Sequence, residues 1–79
     1  MSSNRELNWD AVEFVVLQDL GGMKFARVFE KHPTLTWNEW WFSQEAEPRF
    51  MGVNEPPDDG QRVDVSGTEA KETVLEFLH

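Results

Sequence analysis

Ser43, Ser66 and His32 are the residues of this chain that could form a hydroxyl nucleophile and its base. No Gly-x-Ser-x-Gly turn surrounds either serine, and Ser66 reads better as a helix cap. Two carboxylate pairs, Glu45 with Glu47 and Asp58 with Asp59, have the composition of a general acid and base. Both pairs fall in sequence that reads as solvated loop. Asn54, Glu55, Asp58, Asp59 and Asp64 could offer oxygens to a hard cation, but they lack the alternating ligands, glycine and closing glutamate of an EF-hand loop. A plain acidic turn explains them. Gly21-Gly22 has neither Walker nor dinucleotide-binding spacing and no Lys-Ser/Thr behind it. There is no cysteine, so disulfides, thiolate zinc sites and cysteine nucleophiles are excluded. His32 and His79 lie far apart in sequence. The expectation is a chain that is not an enzyme and carries no metal or cofactor.

Charge says more. Fifteen Asp and Glu stand against seven Lys and Arg, for a net charge of −8 in 79 residues. Residues 37–60 carry Glu39, Glu45, Glu47, Glu55, Asp58 and Asp59 against Arg49 alone. The same stretch holds Trp37, Trp40 and Trp41, three of the four tryptophans. Negative charge repels phosphate and attracts Lys/Arg surfaces, so direct nucleic-acid binding is disfavoured and a protein partner with a basic surface is expected. A stacking platform for single strands would need a basic groove beside the aromatics, and their neighbours are glutamates instead.

In size, charge and lack of catalytic groups the chain resembles phage-encoded inhibitors, including the anti-CRISPR and DNA-mimic classes. That resemblance is one of composition and scale. It implies a small acidic interaction protein whose carboxylates imitate phosphates in a partner's nucleic-acid groove. The alternative is a structural module that self-associates through exposed tryptophans. The expected contact residues are Trp37, Glu39, Trp41, Glu45, Glu47, Glu55, Asp58 and Asp59.

The elements that position these residues fit one domain over residues 1–79, because the chain is too short for a second core. Residues 1–8 are polar and lack the pattern of a signal peptide. No apolar run is long enough to span a bilayer, and a cytoplasmic protein is expected. Residues 12–18 are rich in branched and aromatic side chains and favour a strand. Val12, Phe14 and Val16 would then share one side, and Val15 and Leu17 the other. A helix competes there, with Asp10 as cap and Gly21 as terminator. Residues 23–30 read as a second strand, with Met23, Phe25, Arg27 and Phe29 expected to face the core. Asp19-Leu20-Gly21-Gly22 supplies the hairpin turn.

Residues 36–44 read as a strand with Trp37, Glu39, Trp41 and Ser43 on one face and Asn38, Trp40, Phe42 and Gln44 on the other. Residues 45–61 read as a long acidic Pro/Gly loop holding a short strand at Arg49-Phe50-Met51. Residues 62–66 form a last strand with Val63 and Val65 inward. Residues 68–78 form a helix with Ser66 and Glu69 as a capping box and Ala70, Val74, Phe77 and Leu78 as its core stripe. The fold class is α+β: a small antiparallel meander of three to four strands with a C-terminal helix packed on one face. One aromatic set on residues 36–44 then stays exposed, unless the long loop or a second subunit covers it.

Overall fold

The alternation of large apolar residues is realised as a five-stranded antiparallel sheet with a C-terminal helix, an α+β fold. A computed structural model describes residues 6–34, 36–45 and 47–79. Of the polar segment 1–8, residues 1–5 lie outside the described residues. A 3-10 turn at Trp9–Ala11 leads into β1 (Val12–Leu20), β2 (Met23–Lys31), β3 (Trp37–Ser43), β4 (Arg49–Asn54), β5 (Gln61–Val63) and α1 (Gly67–Leu78). The strand order is β4-β3-β2-β1-β5. The first four strands form a meander, and the fifth pairs with β1 at the opposite edge.

The β1–β2 hairpin closes through Gly21 (φ 65°) and Gly22 (φ 92°) between Leu20 and Met23. Two consecutive positive φ angles match the right-handed twist of the flanking strands. The Asp19 carboxylate accepts from the Gly22 amide at 2.8 Å.

One sheet face carries α1. Ala70, Val74 and Leu78 pack on Val12, Val15 and Leu17 of β1, Ala26 and Val28 of β2, and Trp40 of β3. Phe77 joins this cluster only partly buried. The expected sidedness is corrected at two places. A bulge between Val12 and Phe14 shifts the register, so Val12 joins Val15 and Leu17 instead of Phe14 and Val16. On β2 the helix rests on Ala26 and Val28, both fully buried, because small side chains allow a close approach. Of the set expected to face the core, Phe29 is buried on the other side, while Met23 is 63% exposed. The capping box is also absent: Ser66 is the N-cap residue but makes no side-chain cap bond. Gly67 follows at φ 61°, outside the right-handed helical region, so the first-turn amides do not converge on the Ser66 hydroxyl. The other helix end is held by Gln44, whose amide donates to the Leu78 carbonyl.

On the opposite face the connection from β4 to β5 closes at its far end, where Gly60 lies against Val16 and Gln18. These strands lie at the two edges, about 19 Å apart at ~4.8 Å per strand spacing. The chain between Asn54 and Gln61 reaches about 22 Å at the ~3.1 Å rise of polyproline backbone, which Pro56-Pro57 favours. The linker therefore crosses the sheet with little slack. It lands on β1, where Asp59 accepts from the Gln18 amide at 3.1 Å. Beneath it Phe14, Val16 and Phe29 form a second buried cluster, with Trp37 packed against it. Phe14 stacks on Phe29 at 4.8 Å, Trp37 meets Phe14 edge-on at 5.4 Å, and the Arg62 guanidinium lies 3.9 Å from the Phe14 ring centroid. The supposed long loop thus contains a six-residue edge strand, β4, and ends in a cover for the sheet.

Glu30 ties the N-terminal segment to this frame. It is buried, and its carboxylate accepts from the Asn8 amide at 2.8 Å and from the Asn38 amide group and the Trp40 indole at 3.3 Å each. Glu30→Ala would strand those donors and is expected to cost about 2–4 kcal/mol, read as a lower urea midpoint at unchanged m-value.

Candidate protein-binding site

The eight expected contact residues are divided by the structure. Trp37, Glu39 and Trp41 do share one face of β3, the face crossed by the linker. Glu39, however, is buried and points no charge outward. Its carboxylate accepts from the Trp41 indole at 2.7 Å and from the Asn54 amide at 3.0 Å, and lies 3.9 Å from Arg27 Nε. Arg27 in turn places its guanidinium 4.8 Å from the centroid of the Trp41 ring. Glu39 is thus a positioning residue for Trp41 and not a surface carboxylate. A charge at an alternating strand position reads as solvent-facing in sequence, and only the sheet register shows otherwise.

Trp37 is half-buried, and its indole donates to Glu13 at 2.7 Å. Trp41 is also half-buried, tilted 53° from Phe25 at a centroid distance of 6.0 Å. Trp40 belongs to the helix-side core, and Trp9 packs against that core with Phe42 at 5.5 Å.

The carboxylates fall in two groups. Glu45 and Glu47 lie exposed on the turn between β3 and β4. Glu45 borders a depression lined by Met23, Phe25 and Ser43. Glu47 borders a hollow of about 240 Å³ lined by Phe25, Trp41, Ser43 and Arg49. Glu55, Asp58 and Asp59 lie exposed on the linker. Of the fifteen acidic residues only Glu30 and Glu39 are buried.

Two exposed apolar residues that the contact set omits, Leu20 (60% exposed) and Met23 (63%), pair with each other at the hairpin tip, and Met23 lines the depression that Glu45 borders. Their exposure was readable in part, because residues flanking a two-glycine turn extend past their neighbours.

Ser43 and His32 are not brought together. Ser43 pairs with Phe25 at one end of the sheet, whereas His32 follows β2 at the other and bonds Thr34. Asn54 and Asp64 lie near opposite edges, and Asp64 pairs with Arg62 at 3.0 Å. Among the described residues no group of three or more His, Cys, Asp or Glu could hold a metal ion. No described helix is long and apolar enough to cross a membrane.

The β4 edge exposes Met51 and Val53. Its register against β3 shifts between Glu39 and Trp40, which leaves Met51 as an extra residue. A bulge on an edge strand blunts its use as a template for another chain. Comparison with protein-family models, curated proteins and solved structures gave no match, so the functional reading rests on these residues alone.

Proposed function

We propose that this chain is a small acidic interaction protein that docks on a basic surface of a partner protein, and that it acts as an inhibitor by occupying that partner's nucleic-acid site. The observation that carries the reading is the outward placement of all acidic side chains except Glu30 and Glu39, with Glu45 and Glu47 exposed on the turn between β3 and β4 beside the partly exposed Phe25 and Trp41. Rim carboxylates steer a basic partner and set orientation, while buried aromatic area supplies affinity. Self-association through exposed tryptophans is the other reading; Trp37 and Trp41 are only half-buried, exposed Met51 and Val53 add apolar surface at the β4 edge, and the bulge in β4 works against strand pairing there.

The experiment is a tagged pull-down from nuclease-treated lysate of the source cells, washed at low and then high salt. The proposal expects one basic nucleic-acid-binding protein, released by salt as screening weakens the contact. Recovery of the chain alone, stable to salt, would favour self-association. With the partner in hand, Glu45→Lys with Glu47→Lys should slow association about tenfold or more while leaving the circular dichroism spectrum unchanged. Unchanged association kinetics would remove the electrostatic part of the proposal.

A further inference from the structure

We propose that Asp59 is a site of spontaneous isomerisation to isoaspartate, and that its bond to Gln18 sets the pace. The reaction needs an aspartyl carboxyl with a free, unshielded amide directly behind it. Asp59 is the only Asp or Asn of this chain that glycine follows. Gly60 has no Cβ to block approach to its nitrogen. Its amide makes no hydrogen bond among the described residues, and Asp59 itself is exposed.

The other aspartates are held or shielded. Behind Asp10, the Ala11 amide donates to the Asn8 carbonyl at 3.0 Å. The Asp19 carboxylate accepts from the Gly22 amide at 2.8 Å, and Leu20 follows it. Asp64 pairs with Arg62 and precedes the branched Val65. Asp58 precedes a second charged side chain, that of Asp59.

The chemistry needs only water. The Gly60 nitrogen attacks Asp59 Cγ in its protonated carboxyl form. The N–Cγ bond forms, the Cγ–OH bond breaks, and the hydroxyl leaves with the amide proton as one water. Water then opens the five-membered imide. Cleavage at Cγ restores aspartate, and cleavage at the α-carbonyl leaves Gly60 attached through Cγ as isoaspartate. Mass and charge are unchanged. The main chain gains one carbon, about 1.5 Å. It gains it where the linker meets β1, at a point already so close that a Cβ on Gly60 would lie 2.7 Å from Val16 Cγ1. Before reaction the Gln18 amide holds Asp59 Oδ2 at 3.1 Å, and Gln18 is buried in β1. Turning Cγ onto the Gly60 nitrogen gives up that bond, so the folded linker reacts more slowly than a free one.

The test incubates the whole protein at physiological pH and temperature. Isoaspartate is read by methyl transfer from S-adenosylmethionine with protein isoaspartyl methyltransferase, and placed by peptide mapping. Accumulation at Asp59 is expected, and none in Asp59→Glu, whose cyclisation would need a six-membered imide. Gln18→Met keeps the side-chain length and removes the donor, and should speed the reaction about two- to tenfold. Unfolding the parent chain in urea should speed it as well, which keeps the restraint testable if Gln18→Met folds poorly. An aged chain without methylation, or with equal yields at Asp10, Asp19 and Asp64, would overturn the site. Equal rates in the native, Gln18→Met and urea-unfolded chains would overturn the restraint.

Discussion

Phe29→Ala is expected to lower stability by about 3–5 kcal/mol, enough to leave a domain of this size largely unfolded at room temperature or close to it. Phe29 is fully buried, stacked through Phe14 and packed with Val16, on the face that α1 does not touch. If the linker over that face were loose, the ring would gain water contact and its removal would cost far less. The control is Met23→Ala on the same strand, whose side chain is mostly exposed, and whose cost should stay within about 0.5 kcal/mol. Urea titrations followed by tryptophan fluorescence decide between them. Similar midpoints for the two variants would mean that the second cluster is not a core.

Gly60→Ala carries the second large effect, through a different cause. Gly60 has φ 92°, a conformation that side-chain-bearing residues rarely adopt, and a Cβ there would approach Val16 Cγ1 to 2.7 Å. The backbone strain contributes about 1–3 kcal/mol and the overpacking about 1–3 more. The clash cannot be relieved cheaply, because Val16 is held in the buried cluster and Gln18 Cγ and the Leu17 carbonyl crowd the same point at 3.0 and 3.3 Å. Thermal melts should show a fall in Tm of more than about 10 °C. The linker should also become the preferred site of limited proteolysis. A variant that melts like the parent chain would mean that the linker does not close on β1.

What was legible in the sequence is what depends on near neighbours. The β1–β2 hairpin was the favoured reading of Asp19 to Gly22, although a helix ending at Gly21 competed with it, and α1 follows from the spacing of Ala70, Val74 and Leu78. The two-faced character of residues 36–44 was legible as well, since strict alternation puts Trp37 and Trp41 opposite Trp40 and Phe42. The rest depends on residues distant in the chain. The bulge that moves Val12 across the sheet is a property of the β1–β2 pairing and leaves no mark in residues 12–18. β4 continues past Met51 to Asn54, although Gly52 reads as a stop, because β3 supplies the ladder it lacks on its own. Glu39 looked like a contact carboxylate because Arg27 and Asn54, its partners, come from two other strands. The hollow beside Trp41 arises from a mismatch in strand lengths, which no single segment records.

The strand order has a bearing on synthesis as well. The meander of β1 to β4 is complete at Asn54, yet both of its covers, the linker and α1, are encoded after that residue. A ribosome that has released only the meander presents both apolar faces, Phe14 and Phe29 on one side and Val15, Val28 and Trp40 on the other, to the surrounding medium. Residues 55–78 then shield the two faces almost together, so the nascent chain passes from two-sided stickiness to a sealed domain within a short interval of elongation.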